Sequence, residues 1–463
     1  MNEHSRILER DKLDIAEPLS DADLRLPAVL PRDPYPIETL TPDARQQTRA
    51  VGQRATRPDG RLHGLGQTKY IDDLSFPGML YARIKRAGIA AARIKRIDTS
   101  AAEAMPGVMA VLTGKEIPTN TFGPTFQDQP VLVDDVVFHA GDGVAAVAAV
   151  TEQIANEALD KIVVEYEPLP AVLDPVAAMR EDSPKVHAPD SNIYATKVIR
   201  KGDVEKGFAE SDHIFEARFS TQMIEHVSLE PHAAIADWDA NGRLTIWATI
   251  GRITLARADM ARTLKLPMSR IRIVGTIVGG NFGGKNEITQ EPALALLSKK
   301  TGRPVKGVFT RGEEFTSTTT RHPIIMDYKT GVTKKGRILA RQIRLVLDGG
   351  AYCSWSATTL GKACILSPGP YKIDNVLAEA FVVYTNKTMT GAMRGFGAPQ
   401  VCFAYESQMD DIAKALGKDP LEIRMLNAFD EGSSSPTGQL LHSVVVKETL
   451  RKAAERFGWE PRS

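Results

Sequence analysis

Cysteine is scarce in this chain. Only Cys353, Cys364 and Cys402 occur among 463 residues, and no two are spaced as a CxxC pair. The chain's own thiolates therefore cannot build a zinc ribbon or an iron–sulfur cluster. An odd, sparse count also fails to make a secreted disulfide scaffold and suits a reducing compartment. Long apolar runs are missing too. The longest extends only from Val144 to Val150, far short of the ~20 residues that cross a bilayer. Charge of one sign is not in excess: 58 basic and 57 acidic residues leave a net charge of +1. That balance offers no electrostatic argument for nucleic acid, membrane or an acidic partner. The opening residues Met1-Asn-Glu-His-Ser-Arg are polar, so no signal peptide is expected and the cytoplasm is the expected location. What remains is an ordinary globular composition, 43% hydrophobic and 25% charged, at a length that suits two to four domains.

Glycine is where the chain departs from the ordinary. Arg270-Ile-Arg-Ile-Val-Gly-Thr-Ile-Val-Gly-Gly-Asn-Phe-Gly-Gly-Lys285 starts as an alternating strand and breaks into a cluster of glycines around one phenylalanine. Glycine permits φ > 0 and a close backbone approach, and successive N–H groups in such a turn form an anion-binding concavity. A helix is expected from about Glu287, closed by Gly302. A second cluster, Gly391-Ala-Met-Arg-Gly-Phe-Gly-Ala-Pro399, precedes a helix expected over 400–416. Two glycine loops, each around one phenylalanine and each leading into a helix, point to one shared ligand, either phosphate-bearing or flat and polar.

The rest of the chain reads as mixed α+β. Residues 1–50 carry scattered prolines and little apolar periodicity, which suits an extended arm or a disordered tail. A compact region follows over 51–180, with strands expected at 81–85, 108–112, 143–150 and 162–166 and helices at 100–105 and 152–159. Residues 180–200 read as a linker. Beyond it, 214–221 alternates as a strand, and 234–238 with 243–247 form a hairpin around Asn241-Gly242. A helix is expected at 256–264, strands at 306–310, 324–329 and 338–348, and a last helix at 448–457.

Several motifs allow more than one reading. Gly279, four residues, then Gly284-Lys285 nearly matches a P-loop, but Asn286 stands where Ser or Thr would hold magnesium. Arg394 between glycines reads either as a bidentate clamp or as a solvated turn residue. His226 and His232 flank Leu229-Glu-Pro231 at a spacing that suits hydrogen bonding, not zinc. Tyr352 and Trp355 suit a pocket wall or core packing equally.

These stretches resemble the molybdenum-binding subunit of the xanthine dehydrogenase/aldehyde oxidase family. Gly279-Gly-Asn-Phe-Gly-Gly-Lys285 resembles its first molybdopterin loop, and Ala392-Met-Arg-Gly-Phe-Gly-Ala-Pro-Gln400 its second. Gly66-Gln-Thr-Lys-Tyr-Ile-Asp-Asp73, Pro106-Gly-Val-Met-Ala-Val-Leu-Thr113 and Tyr166-Glu-Pro-Leu-Pro170 are similar to its hammerhead domain. The resemblance implies an α+β fold: an arm at 1–50, a small hammerhead-like domain at 51–180 and a larger mixed α/β molybdopterin-binding domain at 200–463. It implies hydroxylation of an aldehyde or N-heteroaromatic ring with oxygen from water. Gly280, Phe282, Gly283, Gly284, Ala392, Met393, Arg394 and Gly395 fall at cofactor-binding positions, with Phe282 and Arg394 toward the metal. Asn286 and Phe396 fall on the substrate side.

The departures carry expectations of their own. Asn286 replaces a glutamate that holds purines and Cys353 falls near a usual arginine, so xanthine is not the expected substrate. Ile250 stands where a glutamine is usual, and Ala87-Gly-Ile89 replaces a Ser-Pro-His segment. The family's second half, with its general-base glutamate, is not matched in this sequence. The resemblance is thus to a split form, as in nicotinate dehydrogenase. It implies a second molybdopterin-binding subunit, an iron–sulfur subunit with [2Fe-2S] clusters, and a flavin subunit with FAD. The cofactor implied is the cytosine dinucleotide form of molybdenum-molybdopterin. A cofactor-free structural or maturation component, or a P-loop nucleotide binder, are the alternatives.

Overall fold

The computed structural model describes residues 57–187 and 190–461. The expected arm at 1–50 lies outside them. The chain divides into Met1–Thr68 and Lys69–Ser463. In the first unit a short helix, Gly60–Gly64, is described.

The second unit is built on two main sheets. In chain order their strands are β1 Leu80–Arg86, β2 Val108–Thr113, β3 Gly143–Ala149 and β4 Ile193–Lys201. Next come β5 His213–Thr221, β6 Ala233–Trp238, β7 Leu244–Ala248 and β8 Ile271–Gly275. The last four are β9 Val305–Val308, β10 Ile324–Val332, β11 Ile338–Gly350 and β12 Asn375–Tyr384. The first sheet has seven strands in the order β8-β7-β6-β9-β1-β3-β2, and the second has five in the order β5-β10-β11-β12-β4. The seven-stranded sheet crosses the expected domain boundary. β1 from the hammerhead-like stretch pairs in parallel with β9, with Leu80 opposite Val305.

Small residues explain β3. Its Val-Ala-Ala-Val-Ala-Ala run is buried throughout. Successive side chains point to opposite faces, so Ala146 and Ala148 join the core that includes Leu294 and Ala295 of the helix Glu291–Thr301. Ala145 and Val147 meet Ala158 of the helix Glu152–Lys161 on the other face. In the second sheet, Met326, Tyr328, Leu345 and Leu347 pack with Leu360 and Ala363 of the helix Ser356–Leu366 and Val401 and Ala404 of the helix Ala398–Ala415.

Most expected elements form. The hairpin closes with Gly242 at φ +71, its N–H donating to Asp239. Three differences stand out. The expected linker at 180–200 contains nearly all of β4, an edge strand with a single buried residue, so it lacks the apolar alternation that marks a buried strand. The helix expected from Glu287 begins at Glu291. Finally, β12 buries Val376, Ala378, Ala380 and Val382 in alternation, but two of the four are alanine, whose weak strand preference hides the pattern.

Candidate functional site

The first glycine loop leaves β8 and is tied down by neighbouring side chains. Gly279 N–H donates to the Glu230 carboxylate at 2.6 Å, and Glu230 N–H donates back to the Gly279 carbonyl. Asn281 Oδ1 accepts from Gly283 N–H at 2.8 Å. Gly251 N–H donates to the Lys285 carbonyl at 2.7 Å. Phe282 is held at φ +50 with 48% of its surface exposed. A bulky residue in the left-handed region is strained, and here its ring is turned outward. The second loop repeats the device: Phe396 also has φ +50, between Gly395 and Gly397 at φ +102 and +86. Gly397 then precedes the helix Ala398–Ala415.

The two loops meet back to back. Arg394 N–H donates to the Phe282 carbonyl at 2.8 Å. A Cβ on Gly283 would lie 2.4 Å from the Ala392 carbonyl oxygen. His226 closes the junction, with Nε2 2.8 Å from the same oxygen and its ring beneath Gly284. Above the junction is an open depression of about 530 Å³ lined by His226, Phe282, Arg321, Met393, Arg394, Gly395 and Pro399. Arg321 donates to the Arg394 carbonyl at 3.0 Å and to Gln400 Oε1 at 3.2 Å.

Behind the loops lies a buried ionic frame. His232 faces the Glu314 carboxylate through Nδ1 at 2.9 Å and the Gly284 carbonyl through Nε2 at 3.2 Å. Burial pushes the Glu314 carboxyl up, but the hydrogen bonds and charge of His232 hold it below the usual range. Lys285 has no exposed side-chain surface. Its ammonium donates to the Glu230 carbonyl at 2.7 Å and lies 3.4 Å from the Glu230 carboxylate. Burial pulls its pKa down while Glu230 opposes the shift. This corrects the P-loop reading. The lysine that would reach a phosphate is instead tied up inside the protein, and no helix starts until Glu291.

Residues 186–428 match the molybdopterin cofactor-binding domain family. Residues 65–170 match the hammerhead domain of aldehyde oxidase and xanthine dehydrogenase. The chain belongs to the xanthine dehydrogenase/aldehyde oxidase family, as a molybdopterin-binding subunit. It is 42% identical over 408 residues to the nicotinate dehydrogenase large molybdopterin subunit of Eubacterium barkeri, covering 88% of this chain and 96% of that one. It is 33% identical over 425 residues to the xanthine dehydrogenase molybdenum-binding subunit of Escherichia coli O157:H7, covering 88% of this chain and 56% of that one. Aldehyde oxidoreductase from Desulfovibrio gigas superposes with a TM-score of 0.84 at 31% identity, over 87% of this chain and 46% of that one. The chain thus spans about half the length of the latter two relatives and nearly all of the first.

The depression suits the family's phosphate-bearing cofactor. None of its lining residues is acidic, its two arginines have no carboxylate partner among the described residues, and the buried Nδ1 of His226 makes no hydrogen bond, with the Glu225 carboxylate 3.8 Å away. Of the residues expected at the site, Phe282, Met393, Arg394 and Gly395 line the depression. Gly283, Gly284 and Ala392 form the junction under it, and Gly280 at φ +107 leaves room for the Phe282 ring. Asn286 and Phe396 lie outside this lining. Asn286 is next to Gly251, and Phe396 faces the Lys362 ammonium 6.0 Å from its ring centre.

His226 and His232 hydrogen-bond as their spacing suggested. Tyr352 is fully buried and donates to Asp142 at 2.8 Å, so it is core and not pocket wall. Ile250 is buried in the larger core, among the residues of the seven-stranded sheet. Arg321 and Pro399 were not expected at the site. Pro399 stands at the end of the second glycine cluster, while Arg321 sits in an Arg-His-Pro run with no motif to mark it.

Beside the first loop, Glu287 is buried and accepts a hydrogen bond from Ser354 Oγ at 2.6 Å, while its other oxygen has no partner. Burial raises its pKa from 4.5 to about 7, with Asp259 and Asp128 adding to the rise and Ser354 and His232 opposing it. The folded chain therefore binds more protons here than the unfolded chain does. Stability should fall as pH rises from about 4.5 to about 7, by on the order of 3 kcal/mol, and then level off. Asp128, raised to about 6 by burial, adds to the same slope at its acidic end. Glu287→Gln should flatten the slope in denaturant unfolding measured across this range. An unchanged slope would contradict the assignment.

Proposed function

We propose that this chain is the cofactor-holding subunit of a split molybdenum hydroxylase that acts on an N-heteroaromatic or aldehyde substrate. The observation that carries the reading is the back-to-back junction of the two glycine loops beneath a depression lined by arginines and by no acidic residue. When bound, the cofactor supplies the oxygen transfer from water and accepts two electrons from the substrate carbon. The protein's share is binding and orientation. Gly280, Phe282, Gly283, Gly284, Ala392, Met393, Arg394 and Gly395 hold the cofactor, with Phe282 and Arg394 toward the metal side. A preorganised donor at a developing oxyanion contributes ~3 kcal/mol. Asn286 and Phe396 contact the flat substrate: Asn286 offers a donor and an acceptor to its edge and Phe396 a face.

The remaining parts come from partners. The general-base glutamate belongs to a second molybdopterin-binding subunit. Electrons leave through an iron–sulfur subunit with [2Fe-2S] clusters and a flavin subunit with FAD, because Cys353, Cys364 and Cys402 are too few to hold a cluster. The cofactor is the cytosine dinucleotide form, and the complex works in the cytoplasm. Among the described residues no helix is long and apolar enough to cross a membrane. The relative from Eubacterium barkeri is named as the large molybdopterin subunit of nicotinate dehydrogenase, which supports a heteroaromatic substrate and a divided complex.

The test is native capture of the chain from its own cells, with metal analysis and mass spectrometry. The expected result is about one molybdenum per complex together with a second molybdopterin subunit and an iron–sulfur protein. A chain free of molybdenum from molybdate-replete cells would refute the enzymatic reading and favour the cofactor-free component.

A further inference from the structure

Arg321 is the one charged residue lining the depression that the sequence did not mark. Its backbone is fixed from two sides. Arg321 N–H donates to the Ile224 carbonyl at 2.8 Å, and its neighbour Thr320 bridges to Thr390 at the entry to the second glycine loop. Its guanidinium is half-buried, and the two hydrogen bonds it makes go to neutral oxygens, the Arg394 carbonyl and Gln400 Oε1. A guanidinium has five N–H donors and stays charged, so donors and charge remain uncommitted.

Three other sheltered arginines are treated differently, whereas Arg311, like Arg321, donates to neutral oxygens, the Ser228 and Leu229 carbonyls. Arg86 faces Glu313 at 3.1 Å. Arg424 faces Glu406 at 2.6 Å and Asp410 at 2.7 Å. Arg341, fully buried without a carboxylate, is sealed in the core between Tyr328 and Tyr371 and donates to Thr330 and the Pro368 carbonyl. Arg321 has neither solution. Burial lowers its pKa with no opposing anion, and it opens on a depression shared with Arg394.

We infer that Arg321 and Arg394 together form a binding site for one oxyanion, a phosphate or a carboxylate group. Two positive guanidinium groups without an acidic neighbour suit the charge of such a group, and the half-buried one, Arg321, is costly to shelter without it. The depression holds no acidic side chain to repel it. Arg321 also positions its companion, because its hydrogen bond to the Arg394 carbonyl fixes the loop from which Arg394 extends. The same chemistry has two sources, the phosphate of a cofactor or the carboxylate of an aromatic acid substrate. The site itself does not depend on the proposed reaction, although naming its source does.

The experiment is calorimetric titration of the full chain, produced without molybdopterin, with inorganic phosphate at constant ionic strength. Saturable binding is expected. Arg321→Gln and Arg394→Gln should each weaken it at least tenfold, and Arg321→Lys, which keeps the charge but not the fork, severalfold. Circular dichroism checks the fold, and if Arg321→Gln does not fold, Arg321→Lys carries the comparison. No saturable phosphate binding by the parent chain, or equal affinity in the Arg321 variants, overturns the site. The source is read in the natively assembled complex. Molybdenum and pterin per chain that fall in Arg321→Gln identify the cofactor phosphate. Full loading, with KM raised for a carboxylate-bearing ring but not for its amide, identifies the substrate. Full loading and unchanged KM for both would also overturn the site. Phosphate binding that depends on Arg321 in a chain whose complex holds no molybdenum would refute the hydroxylase and leave the oxyanion site standing.

Discussion

Gly283→Ala should force the two glycine loops apart and empty the site. Gly283 is at φ +113, which an L-residue rarely adopts. Its added Cβ would lie 2.4 Å from the Ala392 oxygen, 2.8 Å from the Ala392 carbonyl carbon and 3.1 Å from Met393 Cα. All three are backbone atoms, so no side chain can rotate away to make room. The backbone conformation and the overlap together should cost on the order of 2–5 kcal/mol. The loss falls where Arg394 N–H meets the Phe282 carbonyl, so the depression should open as well. Gly361→Ala is the control. It lies within the helix Ser356–Leu366, nothing lies within 4 Å of the added carbon, and the change should be neutral or stabilise by about 0.5–1 kcal/mol. Denaturant unfolding and bound molybdenum in the assembled complex are the readouts. If Gly283→Ala matches the control in both, the junction is not what shapes the site.

Glu230→Ala should be comparably severe. It strips the Lys285 ammonium, whose side chain is wholly buried, of the carboxylate 3.4 Å away, leaving only the weaker pull of Glu314, and takes the acceptor from Gly279 N–H. Removing one partner of a buried pair typically costs about 3–5 kcal/mol, because the other charge is left uncompensated. The hydrogen bond from Lys285 to the Glu230 carbonyl survives, which favours the lower end. Lys285→Met removes the charge that needs compensating. In the double variant much of the single-variant loss should return. A double-mutant cycle by chemical denaturation measures this coupling. Additive losses would show that the pair does not act as a unit.

How much of the fold and site is legible in the sequence depends on what each feature owes to neighbouring residues. Both glycine loops announce themselves, since two residues at positive φ around a phenylalanine leave a local signature in composition. The hairpin at Asn241-Gly242 does so for the same reason. Strand β4 does not, because an edge strand buries little and its alternation is weak. The role of Lys285 is also hidden. A lysine after two glycines looks like a phosphate ligand until Glu230, distant in sequence, is placed beside it. Arg321 is invisible for a related reason. Its importance lies in the carboxylate that is not opposite it, and no pattern along the chain encodes a missing partner. Glu287 has the same character, because its shift comes from burial.

The sheet that joins the two family-matched regions sets the order in which the chain can be completed. β1 is made early, but its β9 neighbour lies far downstream; Arg83 and its backbone acceptor Val308 are 225 residues apart. At about 5–20 residues per second, a ribosome needs roughly 10–45 s to cover that distance. Within that interval β1, with Leu80, Ala82 and Ile84 destined for the core, gains β3 on one edge once residue 149 is made and has nothing on the other. An open apolar edge is a template for unwanted pairing. The nascent hammerhead-like region is therefore an expected client of chaperones, and synonymous changes that slow translation between β3 and β9 should lower soluble yield without altering a single residue of the product.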